Sequence, residues 1–211
     1  MSERDRTRIL AEVGAYYAGK VRDHGATPRG ADWNSAESQT LRFDRLLDVC
    51  RDEPSPSLID YGCGYGALLD HLAATGRPFR YQGFDVSADM VAVARSRHAE
   101  RGEDGFVADE SRLARADYAL ASGIFNVRLA TPDDVWRAYL LGTLERLDAL
   151  GAKGFAFNAL SLYSEPERRR PDLHYADPLA LFDHCKRTFS PRVALLHDYP
   201  LYEFTILVRK A

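Results

Sequence analysis

Leu58-Ile59-Asp60-Tyr61-Gly62-Cys63-Gly64-Tyr65-Gly66 is the stretch on which the reading of this chain turns. Ser57 to Tyr61 is a short apolar run that breaks at Gly62, and an apolar helix is predicted from about Ala67 to Ala74. A strand that ends in glycines and resumes as a helix belongs to a parallel sheet, and such sheets bind ligands outside the carboxyl ends of their strands. Glycines there let backbone amides approach a ligand with no side chain between, although a glycine turn can also serve packing alone.

The alternation continues outward from this turn. Arg80 to Phe84 reads as a second strand, and Ser87 caps a helix with Met90, Val93 and Ala94 inward. Phe106 to Ala108 and Tyr118 to Ser122 are the third and fourth strands. Thr131-Pro132-Asp133-Asp134 opens a long helix with a cap residue, a proline in the first turn and acids at the positive end of the dipole. Gly154 to Asn158 is a fifth strand, and Asp177-Pro178 starts a helix with Leu181, Phe182, Cys185 and Phe189 inward. Val193 to Leu196 and Tyr202 to Val208 form a hairpin. The fold expected is α/β, a doubly wound Rossmann-like seven-stranded sheet, mostly parallel, with one antiparallel strand in the C-terminal hairpin.

Upstream, Thr7 to Lys20 carries Ile9, Leu10, Val13, Tyr16 and Tyr17 on a helical spacing, and the turn-rich segment Asp23 to Gly30 follows. This reads as a mobile helical cap outside the core. Asn34, with Glu37 completing a capping box, is expected to cap a helix bearing Phe43, Leu46, Leu47 and Cys50, which Pro54 and Pro56 end. The expected organisation is one domain over 1–211, with 1–33 as cap or lid and 34–211 as the ligand-binding core.

Composition narrows the class. The 211 residues are 45% apolar and 28% charged, as in one globular domain, and the net charge of −3 gives no global positive field to draw the chain onto nucleic acid. No run approaches the roughly 18 to 20 apolar residues of a membrane span, and the N-terminus runs directly into charges. A cytoplasmic protein with a small-molecule partner, and neither nucleic acid nor membrane, is expected. Cys50, Cys63 and Cys185 lie far apart, so neither a disulfide framework nor a metal site is expected.

With Ala67 the turn also satisfies the loose dinucleotide fingerprint, so charge has to separate the ligands. A dinucleotide would place its pyrophosphate at this turn, where the Asp60 carboxylate is unwelcome. S-adenosylmethionine brings an ammonium and a sulfonium, which a carboxylate attracts. Asp85 closes the second strand 21 residues after Gly64, a spacing that suits the ribose hydroxyls of either cofactor.

From about Asn34 to Lys210 the chain resembles the class I S-adenosylmethionine-dependent methyltransferases. Leu58 to Gly66 is similar to that family's first motif, and Gly83-Phe84-Asp85-Val86-Ser87-Ala88-Asp89-Met90 to its second. The resemblance implies that Gly62, Cys63, Gly64 and Gly66 approach the methionine part and that Asp85, with Val86 and Met90, binds the nucleoside. It also implies that Asp109, with Glu110 beside it, receives the adenine amino group, and that Ser122-Gly123-Ile124-Phe125-Asn126 lies near sulfur and acceptor. The Asn/Asp-Pro-Pro-Tyr string of enzymes that methylate nucleic-acid amino groups is missing. The resemblance is therefore to free-standing enzymes acting on metabolites, sugars or natural products.

Further candidates follow. Arg42 either meets the methionine carboxylate or pairs with Asp44 or Asp48 on an exposed helix face. Tyr16, Tyr17 and Trp33 either pack on the sheet or, for Tyr17 and Trp33, close over sulfonium and acceptor, whose positive charge an aromatic face favours. Asn126, Asn158 and His197 fall at the carboxyl ends of the fourth, fifth and sixth strands, and with Tyr199 they are candidate acceptor contacts. His197, oriented by Asp198, is the candidate base, and Tyr17 is its rival. Arg168-Arg169-Arg170 is either a solvated charge run or a seat for an anionic acceptor. The function expected is methyl transfer from S-adenosylmethionine to a hydroxyl, carboxyl or amine of a small molecule, releasing S-adenosylhomocysteine, by a monomer or homodimer without metal. A nicotinamide-dependent oxidoreductase and a non-catalytic S-adenosylmethionine-binding protein are the alternatives.

Overall fold

The computed structural model describes residues 1–210; Ala211, the last residue of the expected core span, lies outside the described residues. In chain order the elements are α1 (Glu3–His24), α2 (Ala36–Leu47), β1 (Ser57–Tyr61), α3 (Ala67–Ala74), β2 (Arg80–Phe84), α4 (Ala88–Arg97) and β3 (Phe106–Val107). They continue with β4 (Ala116–Ala121), α5 (Asp133–Leu150), β5 (Gly151–Leu160), α6 (Pro178–Thr188), β6 (Arg192–Leu196) and β7 (Glu203–Arg209). No helix among the described residues is long and apolar enough to cross a membrane.

The seven strands lie in the order β3-β2-β1-β4-β5-β7-β6. β1 pairs in parallel with β2 on one side and β4 on the other, and only β7 runs against its neighbours. The chain thus winds outward from β1 to β3, returns, and winds outward again from β4. The reversal opens a crevice between the carboxyl ends of β1 and β4. Side chains alternate across the sheet. Ile59 and Tyr61 face one core with Leu140, Leu144 and Leu181, whereas Leu58 faces a second with Phe43, Leu46, Leu68 and Leu72.

Several expectations need correction. Ser35, not Asn34, caps α2, its hydroxyl accepting from the Ser38 amide. Pro132 occupies the cap position of α5, so Thr131 lies one residue outside it. α1 is the expected N-terminal helix. It runs longer than expected, and Ile9 and Val13 are buried against Trp136 and Tyr139 of α5. Leu10, Tyr16 and Tyr17 are only half-buried, so one face of the helix is seated while Leu10 and Tyr17 border the cleft.

Ile9 has no exposed surface, so Ile9→Ala should leave a cavity against Trp136 and lower the unfolding free energy by about 2–5 kcal/mol. Chemical denaturation reads this as a lower midpoint at unchanged slope. A change below about 0.5 kcal/mol, the range of an inert surface substitution, would show that α1 is only loosely applied.

Candidate active site

A cleft of about 820 Å³, its mouth included, opens at the crevice between β1 and β4. Asp85, at the end of β2, organises its floor. One carboxylate oxygen accepts from the Gly64 amide at 2.8 Å and the other from the Ser87 amide at 2.8 Å. The Gly62 and Cys63 amides both donate to the Phe84 carbonyl, and the Gly66 amide to the Cys63 carbonyl. The turn therefore uses these donors internally instead of pointing them at an anion.

Electrostatics points the same way. Asp60 and Asp85 are the charged side chains in the wall, and no lysine, arginine or histidine of the described residues lines it. Burial pushes the Asp60 carboxyl up to about 7; the Tyr81 hydroxyl, donating at 2.8 Å, opposes this and the nearby Asp85 adds to it. Burial likewise raises Asp85 to about 6, against the pull of its two backbone donors. Two buried carboxyls without a counter-charge favour a cationic ligand and repel a pyrophosphate.

The upper wall is apolar and aromatic, formed by Leu10, Val13, Tyr17, Trp33, Phe43 and Tyr139. Burial, followed by the charge of Asp32, drives the Tyr17 phenol well above its ordinary value, and burial lifts Tyr139 to about 12. Both are neutral phenols at physiological pH.

The comparisons with known proteins agree with this chemistry. Residues 58–140 match the family model described as a methyltransferase domain. Rv1506c of Mycobacterium tuberculosis, named as a putative methyltransferase, is 54% identical over 155 residues, which is 74% of this chain and 93% of that protein. The chain belongs to the class I S-adenosylmethionine-dependent methyltransferases. N-demethylindolmycin N-methyltransferase of Streptomyces griseus is 30% identical over 78 residues, 36% of this chain and 32% of that one. The solved magnesium protoporphyrin IX methyltransferase of Synechocystis PCC 6803 superposes with a TM-score of 0.65 over 95% of this chain and 97% of that chain, at 17% identity, a likeness of fold. The methyl donor is S-adenosylmethionine, and the acid-lined, cation-free wall suits its positive groups.

In this methyltransferase Tyr17, Trp33, Asp60, Gly62, Cys63, Gly64, Asp85, Val86, Met90, Ser122 and Gly123 all line the cleft. Other expected site residues do not. Gly66 has a φ of +87°, and a Cβ there would lie 3.0 Å from the His98 ring, so it serves packing. Arg42 takes neither expected role: it is buried in an ion pair with Glu203. Asp109 is exposed and caps a short turn through Ser111, while Glu110 ties Arg6, Tyr61 and Arg146 together. Asn126 accepts from the Leu160 amide, and the Tyr199 hydroxyl bonds the Thr205 hydroxyl.

His197 is the largest correction. It does end β6 on the expected side, but β6 is the edge strand, separated from β1 by β4, β5 and β7. There it is exposed, beside Tyr163 and Phe204, and it is not in the cleft wall. Of the arginine run, Arg169 holds the carbonyls of Leu162 and Ser164, Arg170 pairs with Asp172, and Arg168 lies over the Tyr202 ring. Sequence reasoning missed Gln39 as a wall residue. Its place four residues before Phe43 on the buried stripe of α2 was the available signal. Tyr139, inside a long apolar helix, offered none.

Both cleft carboxyls titrate above the ordinary value of 3.8. Between about pH 4 and 7 the ligand-free native protein therefore holds protons that the unfolded chain has released, and this stabilising contribution is lost as pH rises through about 6 to 7. The difference in thermal midpoint between Asp60→Asn and wild type should grow in favour of the variant across this window. A difference independent of pH from 5 to 8 would show that Asp60 is already compensated.

Proposed function

We propose that this methyltransferase acts on a small molecule, methylating a hydroxyl, carboxyl or amine on a largely apolar body. The observation that carries the reading is the aromatic wall of the cleft. Tyr17, Trp33 and Tyr139 close over the cleft beneath a seated α1, a shape that suits a compact acceptor. The net charge of −3 and the lack, among the described residues, of basic side chains in the wall also argue against a polyanionic acceptor. The partial relative from Streptomyces griseus bears the name of a small-molecule N-methyltransferase, which supports the same class.

The donor supplies a methyl group already activated on a sulfonium. Within this reading Asp85, each oxygen anchored by one amide, accepts the ribose hydroxyls with its remaining lone pairs, while Val86 and Met90 border the nucleoside. Asp60 faces the cationic end. Ser122 Oγ and Asn158 Nδ2 are buried without a protein partner at the neighbouring ends of β4 and β5. Asn158, expected as an acceptor contact, is fully buried and does not line the cleft; its carbonyl accepts from the Gly123 amide at 2.7 Å and braces the Gly123 end from behind the wall. The work of the wall is to align acceptor and methyl and to exclude water. Tyr17, as a neutral phenol, orients the acceptor by hydrogen bonding.

Incubation with S-adenosylmethionine and a panel of small metabolites should give a product heavier by one methyl group together with S-adenosylhomocysteine. Tight binding of NAD instead would support an oxidoreductase. Asp85→Ala should weaken S-adenosylmethionine binding at least about tenfold in calorimetry, since two hydrogen bonds to a charged acceptor are lost. Unchanged affinity sinks the ribose role. His197→Ala should retain turnover within a few-fold of wild type, and a loss of about 10²-fold or more would restore His197 as the base.

A further inference from the structure

Arg42 and Glu203 form a buried ion pair that the cleft does not need for its own charge balance. Glu203 is 1% exposed, and its carboxylate accepts from Arg42 Nε at 2.7 Å and from Nη2 at 2.8 Å. Arg42 Nη1 donates to the Ser38 carbonyl at 2.8 Å, so each of the three guanidinium nitrogens is held by a hydrogen bond and the plane is fixed from two sides. The guanidinium carbon lies over the face of the Trp33 ring, 4.1 Å from its centroid. Trp33 in turn overhangs Gly123: a Cβ at Gly123 would lie 2.3 Å from the tip of the indole. On the other side Asp32, in the left-handed region at φ 58°, accepts from the Tyr16 hydroxyl at 2.7 Å and Lys20 Nζ at 2.6 Å and holds the backbone that leads into Trp33.

Burying a carboxylate and a guanidinium is a poor source of stability, because apolar residues of similar volume commonly do as well or better. What a two-pronged arginine–carboxylate pair adds is a plane of fixed orientation. We propose that Glu203 is a positioning residue of the transferase. Acting through Arg42, it sets the Trp33 indole over the Gly123 end of the cleft, where the ring faces the sulfonium of the methyl donor. The proposal rests on the S-adenosylmethionine site described above. It gives Arg42 a part in the site without contact to the ligand.

The chain has two tryptophans, so Trp136→Phe leaves Trp33 as the single indole emitter. In that background the paired change Arg42→Met with Glu203→Leu removes both charges while keeping volume. Acrylamide quenching reads the placement of Trp33. Calorimetry with S-adenosylmethionine and S-adenosylhomocysteine reads its effect, since only the first carries the sulfonium charge. The expected result is a folded protein with a more accessible Trp33 and an affinity ratio of donor over product lowered roughly 2- to 30-fold, the span of an aromatic–cation contact. Trp33→Ala should lower the ratio similarly, and adding the paired change to it should have no further effect. Should the paired variant fail to fold, Glu203→Gln, which keeps one acceptor oxygen, is expected to lower the ratio by less. Wild-type quenching with an unchanged ratio overturns the proposal, as does an equal loss for both ligands. A wild-type protein that binds neither ligand refutes the cofactor site instead.

Discussion

The Asp85 carboxylate reaches two backbone amides at once, that of Gly64 after β1 and that of Ser87 before α4. Through that one side chain the turn after the first strand and the start of the fourth helix are held at a fixed separation. Once the turn is so held, its amides are committed inside the protein, to Asp85 and to the Phe84 carbonyl. A glycine turn of this kind can look like a phosphate cradle in sequence and be its electrostatic opposite in structure. The titratable groups beside it are acids, Asp85 and Asp60 one strand away, and burial pushes both toward the neutral form because an unmatched charge in low dielectric is costly. A ligand that brings positive charge relieves that cost, and one that brings negative charge adds to it.

The N-terminal segment contributes directly to this site. Ile9 and Val13 of α1 pack on Trp136 and Tyr139, so the same contacts that seat the helix bring Leu10, Val13 and Tyr17 to the cleft. Glu110 extends the attachment by accepting from Arg6 of α1, Tyr61 of β1 and Arg146 of α5. Burial alone would raise its carboxyl, but these donors outweigh it and hold it below its ordinary value. Such an anchored ion is worth more than an exposed pair, because its partners come from three elements whose positions are otherwise fixed.

How far the sequence was legible follows from which physical signals are local. Strand and helix identities along β1, β2, β4 and β5 come from periodicity and from glycine or cap residues within a few positions, so they could be read with errors only at the ends. Asp60, Gly62, Gly64 and Asp85 were readable for the same reason, since motif spacing fixes them relative to one strand end. His197 shows where this stops. Its direction along the sheet was inferable from the hairpin, but its lateral distance from β1 depends on strand order, which no local pattern encodes. Arg42 failed differently. Its partner, Glu203, lies 161 residues away, whereas helix spacing suggested only the neighbours Asp44 and Asp48.

These features share a thermodynamic logic. In the free protein the cleft combines two acidic groups pushed toward neutrality, two buried polar atoms without partners at Ser122 and Asn158, and an indole held by a buried ion pair. Each is a local departure from the arrangement that would maximise stability, and the departures cluster at one end of the sheet while two apolar clusters pack on the strands behind them. A cationic ligand answers the first departure directly, a hydrogen-bonding group on it suits Ser122 in the cleft wall, and the third serves as its roof. Ligand affinity and fold stability are therefore coupled at this end of the molecule. What binding gains there is the free energy that folding left unsatisfied.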